Sequence, residues 1–570
     1  MSYWKSLAFC RDTLNTDDWT SLSLNQFSEF IGCTRRNAQF LIKRLINDNH
    51  IMWQPGVGRG NLPKAKLISA VDPILIEKAQ SLLQNGKVEQ ALELVKNDQQ
   101  ESFLSHYLSQ YQISDSQQDI LQIPFYRATH DLDPIGINRR TEQHIASYLY
   151  ARILTLDPLN GSLHGDLAHS WLVEQDRIRI KLRKGLKFHD GSPLLANDVK
   201  DHFQRLSQSQ TASKALFNFI DDIIIEDPLS LVFVSQSAPK LLPKLLAHGA
   251  AGITKIEQGR IIGSGSFKLT EQSEWRTLLT VNPYYHGYRP WIDGIEIWNV
   301  GNNAKSLDLN CDVVHASHLR ARSAPQFHSK QQWELGCVHA MLNPQRHPWM
   351  KIRQHRLWLQ ELMLQMGAPS GEQCEVVARS SGMLSNPQPI ASLNLAQADT
   401  RLSEFQKLSE PLQIVTYQLG THIETAKLIS TALNQLGVSN QLTVLEYPVF
   451  NQLETLRDFD IIVTGEVFGE DLPMSWLGWL LCTFSNLACL DAKSTQWLHN
   501  QCVKAIELST VKAQLNAFQR IERDLKAKGL YQPLYHVQQD LSVSETISAP
   551  DLLANGWIDF NKVTMNESGC

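Results

Sequence analysis

The sequence predicts a multidomain α/β protein with an N-terminal winged helix-turn-helix, a helical connector and a larger α/β C-terminal region. Three observations carry this prediction. The chain has 570 residues, too many for one hydrophobic core. Its charge is segregated: residues 1–70 hold nine Lys/Arg against five Asp/Glu, whereas the other 500 hold 44 against 53. Its apolar pattern also changes, from helical spacing at the start to strand–helix–strand units later. Hydrophobic residues are 43% and charged residues 19%, a globular composition. No apolar run reaches the roughly 18 residues of a membrane span, so no membrane association is expected. Met1 to Asn15 lacks the basic and apolar regions of a secretory signal. Nine cysteines without CxxC spacing fit reduced thiols and a cytoplasmic chain.

The head is read from its caps. Ser23 and Gln26 form a capping-box pattern. Leu24, Phe27 and Ile31 then recur at helical spacing, and Gly32 can take the left-handed turn that ends the helix. Thr34 caps a second helix expected to run to about Asn47. At about 100° per residue, Ala38, Leu41, Ile42 and Leu45 share an inward arc. Arg35, Arg36, Gln39 and Lys43 share an outward one. Ile51 to Gln54 and Lys64 to Leu67 read as two strands around a glycine-rich basic tip, a wing. Gly56, Gly58 and Gly60 lack the Lys-Ser/Thr of a phosphate loop. The order helix, turn, helix, wing suits double-stranded DNA, with Thr34, Arg35, Arg36, Asn37, Gln39, Lys43, Arg59 and Lys64 as the contacts. Such groups bind phosphates and read guanine or adenine edges in a major groove. Solvated basic surface is the alternative for the arginines. The expected divisions are 1–70 for this head, 71–118 for the connector and 119–570 for the rest. In the connector, Asn85-Gly86 separates two helices, and Ala91, Leu92, Leu94 and Val95 supply an apolar face.

Beyond residue 119 the expected order is a strand from Leu121 to Tyr126, then a helix from about Thr141 to Tyr150. A half-buried strand follows, in which Arg177, Arg179, Lys181 and Arg183 alternate with Ile178, Ile180 and Leu182. Its basic face is expected to be solvated rather than a nucleic-acid site. Late in the chain, Leu412 to Tyr417 reads as a strand. A helix capped by Thr421 and Glu424 and ending at Gly437 comes next, then a strand from Leu442 to Tyr447. That order implies a parallel α/β lobe. Two lobes around a hinge make a cleft that closes on a ligand.

The run Lys184-Gly185-Leu186-Lys187-Phe188-His189-Asp190-Gly191-Ser192-Pro193-Leu194 resembles the signature of the family 5 extracellular solute-binding proteins. Gly263 to Leu269, Asn282 to Tyr285, Pro290 to Ile295, Lys351 to Gln354 and Phe459 to Gly465 resemble later segments of that family, in order. The resemblance implies a bilobed, periplasmic-binding-protein-like (class II) fold over most of the remainder. Cys33-Thr34-Arg35-Arg36-Asn37, Val57-Gly58-Arg59-Gly60 and Gly556-Trp557-Ile558-Asp559-Phe560 resemble the SgrR-type regulators, which join a winged helix to such a domain. That resemblance implies a transcription factor of sugar-phosphate stress. It would activate a target gene, repress its own and sense a small metabolite, with RNA polymerase as a further partner.

Loops at the carboxyl ends of strands line such clefts. They nominate Thr129, His130, Glu466 and Phe468 for the ligand. Where peptide-binding relatives carry a Trp-Gly-Ala-Asp-like loop, this chain has Glu466-Val467-Phe468-Gly469-Glu470-Asp471, a departure that weakens the case for a peptide. No HExxH, Cys/His zinc pattern or GxSxG elbow occurs, so no metal, cofactor or enzymatic activity is expected. The alternative function is the solute-binding component of a peptide or sugar ABC transporter.

Overall fold

The computed structural model describes residues 1–56, 61–85, 87–110, 119–137, 139–157, 161–301, 311–315, 327–371, 374–390, 408 and 410–566. The head runs α1 (Ser2–Thr13), β1 (Thr20–Ser21), α2 (Leu24–Ile31), α3 (Arg35–Asn47), β2 (Ile51–Gln54) and β3 (Lys64–Leu67). Its antiparallel sheet has the order β1-β3-β2. Local chemistry sets the helix limits. Ser23 Oγ accepts from the Gln26 amide at 3.5 Å and Thr34 Oγ1 from the Asn37 amide at 3.3 Å. Gly32 takes φ 68°, the left-handed region where a Cβ would be strained. The sequence reading contained no α1. That helix buries Leu7, Ala8 and Cys10 and sets Phe9 edge-on to Phe27, with ring centres 5.4 Å apart.

The connector consists of α4 (Asp72–Gln84), α5 (Val88–Leu92) and α6 (Gln100–Gln110). Ala91, Leu92, Leu94 and Val95 are buried, as their pattern predicts. Head and connector share one apolar core, in which Phe27, Leu41 and Leu45 are continuous with Leu75, Leu83 and Leu104. The same core takes in Trp298 and Val300 from the C-terminal region. There Ser105 Oγ donates to the Val300 carbonyl at 3.0 Å. The head is therefore packed onto the rest of the chain rather than tethered to it.

The first lobe is built on β4 (Ile120–Phe125), which pairs in parallel with strand Gly294–Asn299. Strands Arg276–Val281 and Phe267–Gln272 extend that sheet. A second sheet orders Ala168–Val173, Arg177–Leu182, Ser230–Val234 and Asp222–Asp227. On it Arg177 pairs with Asp176 and Arg179 with Glu226, so this basic face is largely neutralised by the protein itself. The second lobe has a mixed sheet. Strands Leu412–Tyr417 and Asn440–Leu445 run parallel within it, joined by helix Gly420–Gln435, as the pattern requires. Its details differ from expectation. Thr421 does not cap that helix, because its hydroxyl donates to Glu375 at 2.9 Å. Tyr447 is not in the strand but opens a helical turn, with Pro448 early in it. Strand Tyr531–Ser544 ties the lobes together. Its Leu534 and Val537 lie in the second lobe's core, and Leu541 and Val543 lie in the first's.

Candidate functional site

Two surfaces gather polar groups that the fold itself leaves unspent. One is the outer face of α3. Arg35, Arg36, Asn37, Gln39 and Lys43 are all exposed there. Arg35, Arg36 and Lys43 have no ion-pair partner among the described residues. Lys64 is exposed on β3, opposite Gln54. Thr34 is exposed too, but its hydroxyl holds the helix cap. Arg59 lies outside the described residues. The sequence reading passed over two members of this face. Phe40 is 64% exposed. Arg44 stacks over Tyr3 at 4.4 Å, while Tyr3 donates to Asp48 at 2.6 Å.

The other is the space between the lobes, below the carboxyl end of β4. On the first lobe Arg127 grips Glu142 with two hydrogen bonds of 2.5 and 3.1 Å. Glu142 also accepts from the His130 amide. Burial pushes the Glu142 carboxyl up, but the hydrogen bond and charge of Arg127 outweigh it and leave the group below the usual carboxylate range. Arg139 and α7 (Arg140–Leu149) follow. Arg140 reaches Glu334 at 2.5 Å, and the Glu334 amide donates to the Val537 carbonyl of strand Tyr531–Ser544. Arg139 lies over the ring of Tyr447 on the second lobe, 4.3 Å from its centre. One of its terminal nitrogens, Nη1, is buried without a hydrogen-bond partner. Burial, then the charge of Arg127, lowers its pKa. Tyr447 in turn packs 5.1 Å from Tyr417. Glu466 stands half-buried on strand Ile461–Val467 without a hydrogen-bonding or ionic partner among the described residues. Burial pushes its carboxyl up to about 8. The Gln418 side-chain oxygen is likewise buried and unpaired.

Of the four residues assigned to the ligand from sequence, His130 and Glu466 face this space. Burial, and then the nearby Arg139 and Arg127, hold the His130 imidazole below its ordinary pKa. Thr129 and Phe468 require correction. The Thr129 hydroxyl is bonded to Thr277 at 2.6 Å and to Gln272 at 3.1 Å. Phe468 is 1% exposed and packs on Trp476 at 5.1 Å. Both side chains belong to the framework. The cleft thus offers a cation with a free N–H against an aromatic face, and an unpaired carboxyl on the second lobe. This suits a polar ligand with an acceptor group. Among the described residues no group of three His, Cys, Asp or Glu could hold a metal ion. No helix among them is long and apolar enough to cross a membrane.

Glu466 gives a pH prediction. Its folded pKa lies above its unfolded one, so the folded state binds the extra proton. Stability must then fall as pH rises from about 4.5 to about 8 and level off above that. Glu466→Gln removes this component. After discounting for its partial exposure, the variant is expected to exceed the parent by about 2 kcal/mol at pH 9 and by little at pH 4. Denaturant titrations at the two pH values check this, and a pH-independent difference refutes it.

Comparisons with known proteins agree with the two-part construction. Residues 11–119 match the family described as sugar transport-related sRNA regulator, N-terminal. Residues 162–354 match the middle part of the bacterial extracellular solute-binding proteins, family 5. The uncharacterized protein YhjP of Bacillus subtilis is 23% identical over 96% of each chain. The HTH-type transcriptional regulator SgrR of Escherichia coli K12 is 26% identical over 57% of this chain and 58% of its own. The SgrR of Pectobacterium atrosepticum is also 26% identical, over 53% and 56%. The matched stretch thus spans little more than half of those regulators. Among solved structures, a dipeptide-binding protein from Pseudoalteromonas bound to Met-Leu has a TM-score of 0.65 at 16% identity, covering 78% of this chain and all of that one. NikA from Brucella suis has a TM-score of 0.62 at 16% identity, covering 78% and 99%. These likenesses fix the fold of the C-terminal region as the bilobed solute-binding fold. An SgrR-type N-terminal domain carried on a family 5 solute-binding domain is the architecture of the SgrR-type regulators, and it is the architecture of this chain.

Proposed function

We propose that the chain is a cytoplasmic, DNA-binding transcription regulator whose solute-binding region senses a small metabolite. Sugar-phosphate stress is the proposed context, with activation of a target gene and repression of its own. The ligand contacts Arg139 of the first lobe and Tyr447 and Glu466 of the second. It shifts the balance between open and closed lobes, and the chain carries out no reaction of its own. The observation that carries this reading is the exposed α3 face with Arg35, Arg36 and Lys43 unpaired among the described residues, on a head whose core runs unbroken into the first lobe. A transport role gives that face no task.

A physical route joins the two surfaces. β4 ends at Phe125, immediately before the cleft residues Tyr126 and Arg127. Its parallel neighbour carries Trp298 and leads into Val300, both in the head's core. Titration of a labelled duplex with the full chain tests the reading. Affinity must fall steeply as salt rises, because phosphate contacts release counterions. Duplex binding that is absent, or insensitive to salt, refutes it.

A further inference from the structure

We propose that Phe40 reads a thymine methyl group in the DNA major groove. The inference rests on the DNA-binding reading above and adds a base preference to it. Phe40 occupies the middle of the outward face of α3. At about 100° per residue it points away from Ala38, Leu41, Ile42 and Leu45, which are buried. Arg36 and Lys43 flank it on one side and Arg44 on the other.

Phe40 is 64% exposed, more than any other large apolar side chain described in the head. Phe30, at 58%, at least packs on Phe9 at 4.9 Å. Phe40 has no ring partner among the described residues. An uncovered ring at the centre of a charged face calls for an occupant. A second copy of the chain is a poor one, because it would bring Arg36, Lys43 and Arg44 against like charges. A polyanion neutralises Arg36 and Lys43, while Arg44 already has Asp48 at 3.8 Å. In the major groove, the apolar group that a base edge offers is the C5 methyl of thymine. The neighbouring amides of Asn37 and Gln39 suit the adenine edge, so the face as a whole fits A·T pairs.

The experiment selects duplexes with the full chain from a randomised pool. Each thymine of the enriched site is then replaced in turn by uracil, which keeps base pairing and removes only the methyl. The wild-type chain is expected to bind about four-fold more weakly at one such position, the worth of one buried methyl group. Phe40→Ala, a surface change, is expected to bind the thymine and uracil duplexes equally. A thymine-to-uracil ratio that survives Phe40→Ala overturns the proposal. So does a wild-type chain indifferent to every uracil, or a loss of self-association in Phe40→Ala measured by sedimentation. If no duplex is enriched at all, the DNA-binding reading falls and the proposal falls with it. The binding curves alone distinguish that outcome from the others.

Discussion

Replacing Arg127 with alanine should destabilise the C-terminal region by about 3–5 kcal/mol, because it strands a buried charge. Glu142 is 1% exposed at its side chain, and Arg127 supplies two of its hydrogen bonds. In the parent, the low folded pKa of Glu142 adds stability above the ordinary carboxylate range, and this is lost as pH falls through the folded value. In Arg127→Ala, burial is opposed only by the charge of Arg139 and the hydrogen bond from the His130 amide, so the carboxyl's pKa rises. The deficit should therefore be largest at neutral pH and shrink as the solution is acidified. Arg127→Ala with Glu142→Gln should recover much of the loss, since the stranded charge is gone. Thermal unfolding across pH reads both effects. A single variant as stable as the parent would remove this pair from the framework of the cleft.

The second large effect concerns α3. Arg35→Ala with Arg36→Ala should weaken duplex binding roughly 100-fold and reduce the salt slope by about 2, one for each lost phosphate contact. Both residues are exposed and lack ion-pair partners among the described residues, so folding should be spared. Retained affinity with an unchanged slope would move the DNA contact off this helix.

Much of the head was legible because its determinants are local. Ser23, Gly32 and Thr34 act within three residues of the helix ends they define. The stripe Ala38, Leu41, Ile42, Leu45 is complete within α3. α1 was hidden because Leu7, Ala8, Phe9 and Cys10 form a consecutive buried run rather than a spaced stripe. In the cleft, Glu466 was nominated as the loop residue after a recognisable strand, and the strand in fact runs on through it to Val467. Arg139 and Tyr447 were not, because they meet from positions over 300 residues apart. The available signal was the pair Arg139-Arg140 at a helix start. Thr129 and Phe468 are neighbours of His130 and Glu466 in the chain, but Thr277 and Gln272 hold the Thr129 hydroxyl and Trp476 covers the Phe468 ring. Spacing along the chain cannot reveal which loop side chains a distant strand will occupy with hydrogen bonds, as Thr277 occupies Thr129.

The central claim is that the state of the lobes sets the grip of the head on DNA. Lys244 holds Asp471 at 2.8 Å, Lys240 donates to the Glu507 carbonyl at 2.6 Å, and Phe219 stacks on His499 at 5.3 Å. All three link the layer of the second sheet, Ala168–Val173 to Asp222–Asp227, to the second lobe, and none involves Arg139, Tyr447, Glu466 or α3. The decisive measurement is the duplex affinity of the Phe219→Ala, Lys240→Ala, Lys244→Ala chain, with solution scattering on the same sample. The account predicts a larger radius of gyration together with an affinity changed by at least about five-fold. An opened chain that binds the duplex as the parent does would contradict it.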